Sequence, residues 1–143
     1  MVETAAASLM ADVFAKEVDF FSIGTNDLTQ YTMSVDRGNE KVSYLYSTFN
    51  PAVLRSIRNI IKCGREAGIM VGMCGEAASD PMMIPLLLAF GLNEFSMSSS
   101  AILKARKMIT GYSEAELQAV ADKAMSFVSA KEIENFMRDF INQ

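Results

Sequence analysis

Polar and reactive side chains stand at or directly after the ends of four short apolar segments of the chain. Glu3 ends the first segment, Asn26 and Asp27 follow the second, Cys74 ends the third, and a serine-rich stretch, residues 96–100, ends the fourth. Carboxylate oxygens are ligands that Mg²⁺ prefers, and this ion commonly takes one or two protein carboxylates together with phosphate oxygens and water. The pattern alone therefore indicates an oxygen-ligand metal site.

The absence of histidine from the 143 residues limits the side chains that could act in catalysis or bind a metal. It excludes imidazole bases and imidazole metal ligands, so carboxylates, thiols, hydroxyls, lysine, arginine or the backbone must act. The two cysteines, Cys63 and Cys74, have neither the spacing of a disulfide framework nor that of a metal site, and a reducing cytoplasm is the simplest setting for them.

Charge and hydropathy exclude two classes of partner. The net charge of −4 leaves no basic footprint for nucleic acid. No apolar run approaches the roughly 20 residues that a membrane-spanning helix needs, so we expect no membrane insertion.

Short β-rich runs alternate with helical stretches along the chain, and this alternation is typical of an α/β fold with a parallel sheet. Helices are predicted at 4–16, 51–67, 81–90, 101–109, 114–127 and 131–141. Strands are predicted at 19–24, 69–74 and 94–97, and residues 1–3 are typical of the end of a further strand. The helical stretches between strands are long enough to serve as right-handed crossovers.

Local signals support several of these boundaries. Asn50 and Asp80 each precede a proline, which is the arrangement of a helix cap followed by the first helical residue. Ser113 and Glu116 have the spacing of a capping box. Apolar residues at helical spacing predict the face that the second helix buries: Val53, Leu54, Ile57, Ile60 and Ile61. The same reasoning predicts a buried face in the first helix: Leu9, Met10, Val13 and Phe14.

Three stretches resemble the signatures of the phosphoenolpyruvate-utilising enzymes. Residues 24–32 together with 35–39 resemble the first signature, residues 72–76 resemble the second, and residues 93–98 resemble the strand that follows it. The similarity extends over essentially the whole chain. Within the family, Tyr31 and the Asp-Arg-Gly-Asn run that begins at residue 36 favour the phosphoenolpyruvate–protein phosphotransferases of the bacterial sugar phosphotransferase system.

The resemblance implies a fold and an activity. The fold would be the C-terminal half of a (β/α)₈ TIM barrel, with about four parallel strands followed by C-terminal helices. Since a complete barrel needs about 250 residues, we expect residues 1–143 to form a single partial domain. The activity would be transfer of the phosphoryl group of phosphoenolpyruvate to a protein histidine, with release of pyruvate. A chain without histidine is expected to be inactive in isolation.

The resemblance also implies roles for five residues. Glu3 and Asp27 match the ligands of a Mg²⁺ ion, and Asn26, Asp27 and Arg37 match the residues that bind the substrate. Cys74 matches the thiol that delivers a proton to C3 of the enolate as pyruvate forms. Physical chemistry agrees, because a guanidinium pairs well with a carboxylate or a phosphate and a neutral thiol can act as a general acid.

Other interpretations stay open at this point. Each of Glu3, Asp27, Arg37 and Cys74, taken alone, also fits a solvated charge, a helix cap, a surface residue or an inert buried thiol. Pyruvate phosphate dikinase and phosphoenolpyruvate synthase share the signatures but pass the phosphoryl group towards a nucleotide. The chain could also be a non-catalytic dimerisation module.

The expected partners are phosphoenolpyruvate and pyruvate, a phosphocarrier protein bound through domains outside this chain, and a second copy of the chain. The homodimer is expected because the apolar strands at 20–23 and 69–73 would otherwise leave one side in water.

Overall fold

A computed structural model describes residues 1–142, and its centre is one parallel sheet. The strands are β1 (Phe20–Gly24), β2 (Met70–Cys74) and β3 (Glu94–Phe95), in the spatial order β1-β2-β3. Val2 adds a single parallel bridge to Ile23 on the outer side of β1. Its N–H donates to the Ser22 carbonyl at 2.8 Å. The expectation of an α/β fold with a parallel sheet is confirmed, and the fourth strand is this one-residue bridge.

Eight α-helices surround or follow the sheet within residues 1–142. They are α1 (Ala5–Leu9), α2 (Ala11–Phe14), α3 (Thr25–Met33), α4 (Pro51–Glu66), α5 (Met83–Phe90), α6 (Ser99–Ile109), α7 (Glu114–Ser126) and α8 (Ala130–Ile141). Two 3₁₀ turns, Ser43–Leu45 and Glu76–Ser79, lie in the connections. No helix among the described residues combines the length and the apolar character that crossing a membrane requires.

Helix α4 supplies much of the core, as its sequence predicts. The Asn50 side chain accepts the Ala52 N–H at 2.9 Å and caps the helix. The predicted apolar face is fully buried: Val53, Leu54, Ile57, Ile60 and Ile61. Alternate strand residues are buried in the same hydrophobic cluster: Phe21, Ile23, Val71 and Met73. The contact between α4 and the sheet therefore holds one side of β1 and β2.

The first helix departs from its prediction. The predicted helix over residues 4–16 is interrupted at Met10, whose φ of −100° and ψ of 13° lie outside the α-helical range. The four residues predicted to be buried are exposed: Leu9, Met10, Val13 and Phe14. Ser8, Ala11 and Ala15 are buried instead, since small side chains allow close approach to α4. The Asn59 amide confirms this approach by donating to the Ser8 carbonyl at 2.9 Å.

Helix α3 was not predicted, although it carries part of the candidate site. It begins at Thr25, directly after the last residue of β1, and no side chain caps it. Its first residues, Thr25, Asn26 and Asp27, all have low intrinsic helix propensity. Tertiary packing outweighs that propensity here, because Thr25, Leu28 and Thr29 are fully buried.

The C-terminal helices begin with matching caps. The capping box predicted at the start of α7 is present, and α8 has a second one in which Ser129 and Glu132 bond reciprocally. The hydrogen bond from the Ser129 hydroxyl is the main cause of a lowered pKa at the Glu132 carboxyl. Ile133 and Met137 anchor α8, since both are fully buried.

The second face of the sheet is open among the described residues. The side chains of Phe20 and Met70 lie on it and are 56% and 49% exposed, whereas Phe21 and Val71 on the other face are buried. Further along this face, the side chains of Glu3 and Glu94 lie against Gly24 and Gly72, so the apolar exposure is at Phe20 and Met70.

Shortening Ile57 to alanine should test the role of α4. We expect Ile57→Ala to lower the free energy of unfolding by about 2–5 kcal/mol, because the Ile57 side chain is fully buried and its truncation leaves a cavity in the core. Arg55→Ala, at an exposed position of the same helix, should change it by less than about 0.5 kcal/mol. Urea denaturation measures both, and equal losses in the two variants would contradict the packing described.

Candidate functional site

A cleft of about 190 Å³ lies at the carboxyl ends of β1 and β2. All five residues for which the resemblance implies a role line it: Glu3, Asn26, Asp27, Arg37 and Cys74. Met1, Gly24, Thr25 and Gly75 complete the lining. The five residues come from the N-terminal segment, the start of α3, the loop after α3 and the end of β2. The fold therefore brings together groups that lie far apart in the sequence.

Glu3 reaches the cleft through the bridge that Val2 makes with β1. Since Val2 is buried, the next residue lies on the opposite, open face of the sheet. There the Glu3 side chain covers Gly24, and a Cβ on that glycine would stand only 2.5 Å from Glu3 Oε2. The glycine at the end of β1 thus leaves space for the carboxylate.

Asn26 and Asp27 occupy the first turn of α3. Asn26 Oδ1 accepts the Glu76 N–H at 3.2 Å, which ties the end of β1 to the segment after β2. Asp27 Oδ1 lies 3.6 Å from Arg37 Nη2, and these two side chains are 43% and 44% exposed. The positive end of the helix dipole favours a carboxylate at this position.

Arg37 lies on the loop that follows α3, and local hydrogen bonds shape that loop. Its backbone N–H donates to Gln30 Oε1 at 3.1 Å. Asp36 Oδ1 accepts the Gly38 N–H at 2.8 Å. Ser34 has a left-handed conformation, with φ of 54°, and turns the chain at the end of α3. Together these contacts bring the guanidinium back over the first turn of the helix.

The Cys74 thiol is half-buried at the end of β2. Its Sγ lies 3.6 Å from the Ile23 carbonyl oxygen, to which the S–H donates, and 4.0 Å from Ser22 Oγ. A carbonyl oxygen at this distance can accept the S–H of a neutral thiol, and a general acid needs the neutral form.

Cys63 is different, because it is buried on α4 and does not line the cleft. Burial raises the pKa of the Cys63 thiol, and the negative charges of Asp12 and Glu66 raise it further. This thiol therefore stays protonated, as expected of a packing residue.

Gly75 allows the two strand ends to come close together. Its φ of 99° is a conformation that other residues rarely adopt. A Cβ at this position would collide with Thr25 Oγ1 and would lie 3.1 Å from Asn26 Oδ1. Thr25 Oγ1 also donates to the Cys74 carbonyl at 3.0 Å.

Several features of the site were not found from the sequence. Tyr46 donates its hydroxyl to the Asn26 carbonyl at 3.1 Å, across 20 residues of chain, and no spacing rule points to such a contact. Thr25, fully buried between the strand ends, was also missed as a structural element of the cleft. Conversely, the serine-rich stretch at 96–100 does not line the cleft.

A larger cavity, of about 460 Å³, lies between α4, α5 and α7. Its charged lining is mainly basic, with Arg58, Lys62 and Arg65 beside Glu66. It contains none of the groups that the sequence singles out for chemistry. Volume alone therefore does not identify the site, and the smaller cleft is the candidate.

Comparison with known proteins agrees with the motifs. The profile of the family described as "PEP-utilising enzyme, PEP-binding domain" matches residues 1–113. The chain belongs to this family. The resemblance seen in the signatures is thereby confirmed, and the match covers every residue that lines the candidate cleft.

Individual relatives of the family carry a more specific name. Proteins named phosphoenolpyruvate-protein phosphotransferase from Geobacillus stearothermophilus, Priestia megaterium and Staphylococcus carnosus are 53%, 52% and 49% identical to this chain. The alignments cover 96%, 96% and 98% of the chain, respectively, but 24% of each relative. The chain thus spans about a quarter of the length of these curated relatives.

Adding a methyl group at Gly75 should disturb the cleft. We expect Gly75→Ala to lower the free energy of unfolding by roughly 1–3 kcal/mol, because alanine is strained at this φ and its Cβ meets Thr25. The backbone amide signals of Asn26 and Glu76 should shift in NMR spectra of the same variant.

Gly111→Ala is the matched control, since a Cβ there makes only ordinary contacts, the nearest at 3.4 Å. If Gly75→Ala lowers the free energy of unfolding in urea no more than this control does, the close approach described at the strand ends is wrong.

Proposed function

We propose that the cleft binds phosphoenolpyruvate together with Mg²⁺, as part of a longer enzyme that transfers the phosphoryl group to a protein histidine and releases pyruvate. One observation carries the proposal: the five residues matched to these roles by motif lie in a single cleft. The relatives carry the name phosphoenolpyruvate-protein phosphotransferase, and the resemblance in the signatures implies the bacterial sugar phosphotransferase system. The proposal includes a single partial domain over residues 1–143, forming the C-terminal half of a (β/α)₈ barrel.

Glu3 and Asp27 would hold the metal ion. Among residues 1–142, no group of three or more Asp, Glu or Cys side chains is arranged to bind a metal alone. Two carboxylates in one cleft nevertheless suit Mg²⁺, which completes its shell with substrate phosphate oxygens and water. When bound, the ion would neutralise charge on the transferring phosphoryl group.

In the proposed complex, Asp27 and Arg37 exchange their contact with each other for contacts with Mg²⁺ and the substrate. Their ion pair is weak enough to allow this. Both side chains are nearly half exposed, and such a pair contributes at most about 1 kcal/mol. Arg37 would then bind the carboxylate or the phosphate of the substrate. Asn26 would donate through Nδ2, since its Oδ1 already accepts the Glu76 N–H.

Cys74 would complete the reaction. Cleavage of the bond between phosphorus and the enol oxygen leaves the enolate of pyruvate, while the phosphoryl group moves to the histidine. Transfer of the S–H proton to C3 of that enolate gives pyruvate and a thiolate, which later regains a proton from solvent. Before the transfer, the Ile23 carbonyl oxygen, 3.6 Å from Cys74 Sγ, offers an acceptor for the S–H of the neutral thiol.

The accepting histidine must lie outside this chain, which has none. The phosphocarrier protein would likewise bind other parts of the longer enzyme. A cytoplasmic setting suits the two free cysteines. Transfer towards a nucleotide, as in the dikinase, is the second candidate, but the names of the relatives favour a protein acceptor.

A segment exchange tests the proposed activity. In the Geobacillus stearothermophilus relative, the 138-residue segment that aligns with this chain is replaced by this chain's residues. We expect the exchanged protein to phosphorylate its protein acceptor from phosphoenolpyruvate in the presence of Mg²⁺. The 143-residue chain alone should release no pyruvate. A folded but inactive exchanged protein, or turnover by the isolated chain, would contradict the proposal.

Two substitutions in the exchanged protein separate the roles of the residues. Asp27→Asn should lower kcat/KM at least about tenfold and raise the Mg²⁺ concentration needed for half-maximal rate, because a charged ligand is lost. Cys74→Ala should lower kcat by about 100-fold or more with little change in KM, since a general acid acts in the chemical step. Cys63→Ala is the control for the second variant, and equal rates for the two cysteine variants would refute the proton-donor role.

The open face of the sheet generates a prediction about assembly. We propose that the 143-residue chain forms a homodimer or a higher oligomer through this face, because Phe20 and Met70 expose apolar surface there. Leaving about 400 Å² of such surface in water would cost about 10 kcal/mol. Phe20→Ser should weaken the association in sedimentation experiments, whereas Val128→Ser, at an exposed turn between α7 and α8, should not. A compact monomer at micromolar concentration would rule out the proposal.

A further inference from the structure

Helix α8 lies outside the part of the chain that the family profile matches, yet it contacts the loop beside the candidate cleft. The helix is firmly placed, because Ile133 and Met137 are fully buried and the Phe136 ring packs at 5.5 Å from that of Phe127. Its residue Glu134 is half-buried, and Glu134 Oε1 accepts a hydrogen bond from Ser47 Oγ at 2.8 Å. The Glu134 side chain, on a helix fixed by core packing, thus holds the loop after α3 at Ser47.

The end of the loop is held by further contacts around Ser47. The Ser47 carbonyl accepts the Asn50 N–H at 3.1 Å, immediately before α4 begins. Thr48 Oγ1 lies 3.4 Å from Thr29 Oγ1 on α3, and Phe49 is buried. Residues 47–50 are therefore fixed between α3, α4 and α8.

Tyr46, directly before this fixed segment, connects it to the cleft. Its hydroxyl donates to the Asn26 carbonyl at 3.1 Å. Asn26 in turn accepts the Glu76 N–H with its side chain. Three hydrogen bonds and the covalent link between Tyr46 and Ser47 therefore connect Glu134 on α8 to the segment after β2. The bond to Glu134 has a charged acceptor, which makes it stronger than a neutral hydrogen bond.

We propose that Tyr46 and Glu134 are positioning residues, through which α8 holds Asn26 in the geometry that binds phosphoenolpyruvate. The inference rests on the proposed function of the cleft. Its physical basis is pre-organisation: a substrate-binding group that is already held in place loses less conformational freedom on binding. Loss of either residue should therefore weaken substrate binding without removing any group that touches the substrate.

The first test uses the 143-residue chain itself. Tyr46→Phe removes only the hydroxyl, and Tyr44→Phe is the matched control because Tyr44 is 79% exposed on the same loop. In ¹⁵N NMR spectra, Tyr46→Phe should shift the amide signals of residues 26, 27 and 76 and speed their hydrogen exchange, whereas Tyr44→Phe should leave them unchanged. Unchanged signals in Tyr46→Phe would overturn the inference.

The second test measures kinetics in the exchanged Geobacillus stearothermophilus protein. Tyr46→Phe should raise KM for phosphoenolpyruvate about fivefold, the effect of losing one ordinary hydrogen bond, with a smaller change in kcat. A merely structural role would reduce the active fraction, which lowers apparent kcat and leaves KM unchanged. That second pattern would refute a positioning role for Tyr46.

Variants of Glu134 test the contact with α8. Glu134→Ala should raise KM for phosphoenolpyruvate, as Tyr46→Phe does. Glu134→Gln should leave KM near its original value, because the amide retains an acceptor oxygen. Asp139→Ala, at an exposed position of α8, should leave KM unchanged. If the exchanged protein without further substitutions is inactive, the proposed function and this inference both fail. If it is active but Tyr46→Phe and Glu134→Ala match their controls, only the positioning role fails.

Discussion

The parallel pairing of β1 with β2 is the constraint on which the rest of the structure depends. Its register places Phe20 beside Met70 and Gly24 beside Cys74, so the two strands end at the same level. Because side chains alternate along a strand, the same register directs Phe21, Ile23, Val71 and Met73 towards the core. A shift of one residue would bury the opposite set of side chains and move the ends of the strands apart.

The level strand ends explain why the cleft forms where it does. Gly75 turns the chain after β2 with a positive φ, and this turn leaves space for Thr25 and Asn26 at the start of α3. Gly24 leaves comparable space for Glu3. Small residues at these points allow three segments to converge, and the polar groups they carry then face one volume of about 190 Å³.

The loop after α3 connects the cleft to the C-terminal part of the chain. It carries Arg37 to the cleft, and its distal end is fixed by Tyr46 and Ser47. These contacts connect the C-terminal helices to a site that lies entirely within residues 1–113. Helix α8 therefore has a physical connection to the cleft through these hydrogen bonds, in addition to its packing against α7.

Local chemistry determined what could be predicted from the sequence alone. The caps at Asn50 and Ser113, the apolar face of α4 and the strand segments depend on neighbouring residues, so their patterns were sufficient. The candidate residues could be identified from their positions in the family signatures, because this step does not require the three-dimensional structure of the site. The face that α1 and α2 bury, the start of α3 at Thr25 and the bond from Tyr46 to Asn26 were decided only by the tertiary structure. Each of these depends on contacts between segments far apart in the chain, where packing and hydrogen bonding outweigh local propensity.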